Sequence, residues 1–99
     1  MGVYWMLVNH EKKEYVAWKH CNLSVKDWTH PTHGMFIAWI MQHSDWRYSP
    51  CTLLSDAGTE DEYNEIYDGK YKDVELEMVK GFNEYIENSY PDHLIQIEE

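Results

Sequence analysis

The strongest constraint on the fold lies in residues 74–88, where apolar side chains recur at three- and four-residue spacing. This spacing predicts an amphipathic helix, and its apolar face must be buried against another element. Asp73 is its predicted N-cap, and Pro91 ends the pattern. The apolar stripe consists of Met78, Val79, Phe82, Tyr85 and Ile86. The rest of the chain must therefore supply a surface that covers this stripe.

Strands are predicted in the N-terminal half, because residues 3–9 and 14–19 are rich in β-branched and aromatic side chains. A short polar segment separates them, which indicates a β-hairpin. Residues 51–55, after a proline, predict a third strand. Residues 93–97 alternate apolar and polar side chains and predict an edge strand.

Two further helices are expected. The apolar run at residues 35–43 predicts a buried helix, although its periodicity also allows a strand. Thr59 and Glu62 have the spacing of a capping box, and Gly69 closes the short helix that would follow. Its inward face would carry Tyr63, Ile66 and Tyr67.

Together these elements give the order β-β-α-β-(short α)-α-β. This is an α+β fold with a small, mainly antiparallel sheet of about four strands packed with two main helices. A length of 99 residues predicts a single domain over residues 1–99, since neither half alone buries a core. The order of the strands in the sheet stays open.

The charge is unevenly distributed along the chain. The formal net charge is −10; residues 1–50 carry five basic and four acidic side chains, whereas residues 51–99 carry three basic and fourteen acidic ones. Phosphate contacts need clustered Lys and Arg, so nucleic acids and anionic membrane surfaces are unfavourable partners. Basic proteins, cations and small molecules remain as candidates.

The chain is expected to be soluble and cytoplasmic. Its first residues lack the basic and apolar regions of a signal peptide, and no apolar run approaches the roughly 20 residues that span a bilayer. Cys21 and Cys51 form no disulfide framework, and whether these two cysteines meet in space stays open.

The leading functional hypothesis is a non-enzymatic protein that docks a basic protein partner, of the inhibitor, immunity or counter-defence type. Helical apolar stripes must face inward, so many carboxylates of the C-terminal half are expected on one outward face, where they would steer a basic partner. Two tryptophans in polar surroundings are expected to be exposed and to anchor that partner. The predicted partner-binding residues are Glu60, Asp61, Glu62, Glu65, Trp28 and Trp46.

One alternative is a protein that binds a small molecule or nucleotide in an aromatic pocket. The five Trp and eight Tyr are sufficient for such a pocket, although most of these rings are expected in the core. In the hairpin, Trp5 and Tyr15 are expected on one face and Tyr4 on the other.

A further alternative is a zinc-stabilised module that uses His30, His33 and Cys51, because His-x-x-His is a usable ligand spacing. The C-x-x-C pairs of zinc modules are absent from the sequence. Catalytic motifs such as G-x-S-x-G, the P-loop and H-E-x-x-H are also absent, so no enzymatic activity is expected.

The N-terminus, Met1-Gly2-x-Tyr4-Trp5-x-x-Val8-Asn9-x-x-Lys12-Lys13-Glu14-Tyr15, resembles the start of small microbial proteins that read roughly MGxYWxxVNxxKKEY. The segment at residues 55–58 is similar to their middle portion. The resemblance covers about a fifth of the chain and one short later segment, and it transfers no activity and no site residue. It implies a microbial, compact domain that begins with a β-hairpin.

Overall fold

A four-stranded sheet forms the centre of the protein, in the order β3-β1-β2-β4. The computed structural model describes residues 4–23 and 30–98. β1 pairs with β2 and with β3 in antiparallel fashion, and β2 pairs with β4 in parallel. The strands are β1 (Trp5–Asn9), β2 (Glu14–Val16), β3 (Thr52–Ser55) and β4 (Lys72–Asp73). The predicted α+β architecture with a small, mainly antiparallel sheet is therefore confirmed.

Three α-helices pack on this sheet. A π-helical turn at Ile66–Lys70 directly follows the second of them. Within it, Gly69 has a φ of 124°, which residues other than glycine rarely adopt. A short 3₁₀ turn at Pro91–His93 follows the third helix. The helices are α1 (Pro31–His43), α2 (Glu60–Glu65) and α3 (Glu75–Ile86).

Both faces of the sheet are covered. Side chains of a strand point alternately to opposite faces, and in β1 Leu7 packs with the apolar faces of α1 and α3. Its neighbours Met6 and Val8 pack with Tyr63 of α2. The molecule therefore has three layers, with α1 and α3 on one side of the sheet and α2 on the other.

The layer of α1 and α3 holds the larger core. Phe36 and Ile40 of α1 meet Val79 and Phe82 of α3, and the rings of the two phenylalanines lie 5.3 Å apart in an edge contact. Gly81 allows this close approach, because a Cβ at that position would lie 2.7 Å from the indole of Trp39. In the predicted stripe of α3, Tyr85 differs from the others, since it is 60% exposed.

The predicted strand at residues 93–97 was wrong. Pro91–His93 forms the 3₁₀ turn, and Ile97 makes only an isolated bridge with Cys21. The side chain of Asn83 holds this segment, because it accepts from the amide of Ile95 and donates to its carbonyl, both at 2.8 Å. The fourth strand is instead β4, which the sequence analysis did not predict.

Of the two predicted helix caps, Thr59 holds the N-cap position of α2 but makes no capping bond through its side chain, and Asp73 lies one position before the N-cap of α3. The Thr59 hydroxyl caps no N–H group of α2 and donates instead to the carbonyl of Ser55 at 2.9 Å. Val74 is the N-cap residue of α3, one position after Asp73, whose carboxylate accepts from the amide of Glu75 at 2.9 Å. α1 begins at Pro31, four residues before the predicted start, because Pro suits the first turn and His30 caps it.

The hairpin register corrects the expected placement of its aromatic side chains. Tyr15 lies opposite Val8, so its ring shares a face with Met6 and Val8 and not with Trp5. Among the described residues, no helix is long and apolar enough to cross a membrane. Cys21 and Cys51 are both free thiols.

Candidate functional site

Two concave surfaces stand out, one on each side of the sheet. The first, here the helical groove, has a volume of about 520 Å³ and lies between α1 and α3. The second, here the tyrosine cleft, has a volume of about 400 Å³ and lies beside α2. The cleft is lined by Tyr4, Ala17, Trp18, Lys19, Asp56, Tyr63, Asn64 and Tyr67. Of these two surfaces, judged by the described residues that line them, the cleft is the one that combines aromatic rings with groups of both charges, so we treat it as the candidate site.

One wall of the cleft is fixed where β1 and β3 meet. The amide of Tyr4 donates to the Asp56 carboxylate at 3.0 Å, and the amide of Asp56 donates to the Tyr4 carbonyl at 3.1 Å. These bonds continue the antiparallel pairing of Trp5 with Ser55 by one residue. The carboxylate of Asp56 is therefore held at the rim by the backbone of the neighbouring strand.

The opposite wall comes from α2 and the π-helical turn that follows it. Tyr63 and Tyr67 are four residues apart, so both rings lie on one helix face, 6.1 Å apart and inclined by only 14°. Tyr63 is buried, and Tyr67 is 43% exposed. Burial, reinforced by the charge of Asp56, raises the pKa of Tyr63 to about 12, so its phenol stays protonated and can donate a hydrogen bond.

Lys19 brings a positive charge to the cleft. Its ammonium lies 4.2 Å from the ring centre of Tyr67 and donates to the Tyr15 hydroxyl at 2.7 Å. Burial lowers the pKa of Lys19. The hydrogen bond to Tyr15 and the negative charge of Asp73, 3.5 Å away, raise this pKa by more than burial lowers it. The pKa of Lys19 therefore lies above its usual value, and the side chain is a permanent cation.

The backbone that carries Lys19 turns sharply out of β2. Trp18 has a φ of 54°, in the left-handed region that bulky residues avoid. The amides of Lys19 and His20 both donate to the carboxylate of Glu75, at 2.8 and 2.7 Å. Two successive N–H groups that converge on an anion form a backbone nest, and here the anion is the buried side chain of α3.

This turn links the two helical layers on either side of the sheet. Although Trp18 borders the tyrosine cleft, its ring contacts Phe36 and His33 of α1, at centroid distances of 6.2 and 5.5 Å. The same turn directs Lys19 towards Tyr67 on the α2 side. The Glu75 carboxylate thus holds the backbone from which both side chains depart.

The helical groove offers less chemistry. Its lining is mainly apolar, and His43 stacks on Tyr85 with ring centres 4.6 Å apart. Among the described residues that line this groove, none is acidic. Shape alone provides little orientation for a ligand, so we prefer the smaller cleft.

The carboxylates of the C-terminal half do not share one outward face. Those of α2 and those of α3 belong to layers on opposite sides of the sheet. Glu75 is completely buried, and Asp73 is directed to Lys19 and His20. The predicted partner-binding carboxylates Glu60, Asp61, Glu62 and Glu65 all lie in α2, where Glu62 is partly covered and 3.5 Å from His10.

The expected exposure of Trp46 was wrong. Its side chain is 0% exposed and packs in the core with Ile40, and its indole N–H donates to Glu14 at 2.8 Å. Its immediate neighbours Asp45 and Arg47 are exposed, while the ring of Trp46 turns inward. The second predicted anchor, Trp28, lies outside the described residues.

The three predicted zinc ligands do not come together in one cluster. His30 is exposed and accepts from the amide of Thr32 at 3.2 Å, while His33 is buried against Trp18. Cys51 is half-buried, and its thiol lies 3.7 Å from the carbonyl of Ser49. No group of three or more metal-ligating side chains forms in the described part of the chain, in which all three predicted ligands lie.

Several residues of the cleft were missed by sequence reasoning. The spacing of Tyr63 and Tyr67 on a predicted helix was a usable signal, although it was interpreted as an inward face. Lys19 and Asp56 gave no such signal, because they are brought together by contacts between distant segments. Glu75, which supports the cleft without lining it, belongs to the C-terminal carboxylates that were expected on one outward face.

The tyrosine cleft can hold a flat ring against tyrosine side chains and can offer it an ammonium and a carboxylate. Aromatic faces bind rings by stacking, and the charged groups fix their orientation. No protein-family model matches the chain, and neither a curated protein nor a solved structure matches it.

Proposed function

We propose that this protein is a non-enzymatic binding protein that holds a small ring compound in the tyrosine cleft. The observation that supports this proposal is the convergence of Tyr63, Tyr67, Lys19 and Asp56 on one concave surface of about 400 Å³. This volume lies within the roughly 300–1,000 Å³ of small-molecule pockets. Apolar walls with a few polar groups are also typical of such sites.

The tyrosines are suited to stacking rather than to core packing alone. Tyr67 and Tyr4 are 43% and 42% exposed, so their rings are accessible to a ligand. The ammonium of Lys19 already lies over the face of Tyr67, which keeps that ring in place through a cation–π contact. A ligand therefore meets a preformed surface and loses little free energy in ordering it.

The first test is a thermal-shift screen with neutral, cationic and anionic aromatic compounds. A ligand at about 100 times its Kd stabilises the folded state by about 2.7 kcal/mol. We expect Tyr67→Ala to weaken binding of any active compound by about 1–3 kcal/mol, the usual contribution of one aromatic stacking partner. Titration calorimetry on the wild type and the variant measures this difference.

The matched control is Tyr85→Ala, which removes an exposed tyrosine from the helical groove on the other side of the sheet. It should leave the affinity unchanged. If the whole panel gives no shift, or if Tyr85→Ala weakens binding as much as Tyr67→Ala, the cleft is not the binding site.

A second candidate function is the docking of a basic protein on α2. In its favour, Glu60, Asp61 and Glu65 are all exposed within this short helix. Such a concentration of negative charge accelerates association with a basic surface by about 10–10³-fold. The proposal keeps the predicted carboxylates of α2 and no longer relies on Trp46.

The test compares two double variants of the same charge change. Glu60→Lys with Asp61→Lys alters α2, and Glu84→Lys with Glu87→Lys alters exposed positions at the end of α3, in the opposite layer. We expect only the α2 variant to lose retention of basic proteins from a native lysate at low salt. Equal retention by both variants, or retention that salt does not change, contradicts the proposal.

A further inference from the structure

Among the residues described as lining the tyrosine cleft, Lys19 is the charged hydrogen-bond donor and Asp56 the charged acceptor. An ammonium has three N–H groups, and the Lys19 ammonium uses one on Tyr15 at 2.7 Å, with an oxygen of Asp73 at 3.5 Å. A carboxylate can accept about four hydrogen bonds. The Asp56 carboxylate accepts one of them from the amide of Tyr4. Both groups therefore retain capacity for a ligand.

The charge of the surroundings disfavours an anionic ligand. Lys19 is the one basic side chain among the residues described as lining the cleft. The cleft also has the Asp56 carboxylate at its rim, and the protein as a whole carries a net charge of −10. A phosphate group would add two negative charges to this field, with no second cation in the cleft to receive them.

A cationic ligand is disfavoured for the opposite reason. The ammonium of Lys19 lies over one side of the Tyr67 ring, 4.2 Å from its centre, so a cationic ligand in the cleft would come close to it. A second positive charge would be repelled by the first at short distance. The favoured ligand is therefore uncharged and carries both a hydrogen-bond acceptor for Lys19 and a donor for Asp56.

We infer that the tyrosine cleft binds an uncharged heteroaromatic ring of the nucleobase or nucleoside class, oriented by Lys19 and Asp56. The inference rests on the proposed function and narrows its ligand. Nucleobases present donors and acceptors on adjacent edge positions, and each has a flat face that stacks on a tyrosine ring. A cleft of about 400 Å³ is at the small end for ligand pockets, which suits a base or nucleoside rather than a large cofactor.

The test uses titration calorimetry at about 0.15 M salt with adenosine, guanosine, cytidine and uridine, the four 5′-monophosphates, and naphthalene-type rings without polar edges. At least one nucleoside should bind about tenfold tighter than its monophosphate and than the apolar ring. Lys19→Met and Asp56→Asn should each weaken nucleoside binding by about tenfold or more. Lys80→Met, an exposed lysine of α3, is the matched control and should have no effect.

The outcomes separate this inference from the proposed function. If apolar rings bind in a Tyr67-dependent manner and nucleosides do not, the cleft is a binding site and the ligand class is overturned. A monophosphate that binds as tightly as its nucleoside also overturns the uncharged class. If no compound in the panel binds, both proposals fail together.

Discussion

Replacement of Trp46 by alanine is expected to lower the free energy of unfolding by about 3–5 kcal/mol, the usual cost of removing a buried Trp or Phe ring. The ring is 0% exposed and is among the largest side chains of the core. Its removal leaves a cavity beside α1 and also deprives the Glu14 carboxylate of its indole donor at 2.8 Å. Urea denaturation followed by far-UV circular dichroism measures the change.

Two variants make this experiment specific. Tyr48→Ala changes a side chain that is two residues away and 95% exposed, so the free energy of unfolding should stay within about 0.5 kcal/mol. Trp46→Phe retains a six-membered ring and loses the five-membered ring with its N–H, so its cost should be clearly smaller than that of Trp46→Ala. If Trp46→Ala and Tyr48→Ala are equally mild, the indole does not lie in the core.

Glu75→Ala should lower the free energy of unfolding by a similar amount, about 3–5 kcal/mol. Each hydrogen bond to a charged group contributes about 1.5–3 kcal/mol, and the carboxylate accepts two, from the amides of Lys19 and His20. Alanine would leave both amides without this acceptor, next to Trp18 in its left-handed conformation. The loss should appear as a lower urea midpoint with an unchanged slope.

Glu75→Gln and Glu77→Ala serve as comparisons for this prediction. Glutamine retains one oxygen acceptor but turns an NH₂ group towards the second amide, so an intermediate loss is expected. Glu77 lies two residues away on α3, is 68% exposed and is 4.0 Å from Lys72, so its removal should change the free energy of unfolding by at most about 0.5–1 kcal/mol. Equal effects of Glu75→Ala and Glu77→Ala would contradict the structural role of the buried carboxylate.

The Glu75 variants also connect the fold to the proposed site. The carboxylate of α3 holds the backbone from which Lys19 reaches the tyrosine cleft on the other side of the sheet. A buried charge of this kind is costly to remove singly, because its partners remain behind without compensation. Glu75 therefore stabilises the cleft, although its side chain does not line the cleft.

The burial of the Glu75 carboxylate could not be predicted from sequence patterns. The apolar stripe of the predicted helix must face inward, so Glu75 was expected on the outward face with the other carboxylates of the C-terminal half. Its burial depends on two amides 55 and 56 residues earlier in the chain. No pattern within α3 encodes that contact, because it exists only when β2 and α3 have packed together.

The positions of Trp46 and Tyr15 also depend on contacts that sequence patterns do not reveal. Trp46 stands among polar residues, a context that favours exposure, yet it is buried by α1 and α3 and by Glu14 of β2. Likewise, Tyr15 was placed beside Trp5 because the register of the hairpin was not known. A shift of one residue in register exchanges the two faces of a strand, so this decision belongs to the pairing of strands.

The sequence alone determined the elements whose signals are local: the hairpin of β1 and β2, the strand β3 and the amphipathic helix α3, because periodicity and turn residues act over a few positions. The tertiary structure alone decided that both faces of the sheet are covered, that β4 joins β2 in parallel, and that residues 93–97 form no strand. The tertiary structure also brought together the residues that form the tyrosine cleft, which come from positions near 4, 19, 56 and 67. These features depend on register and on contacts between distant segments, and such contacts leave no periodic trace in the chain.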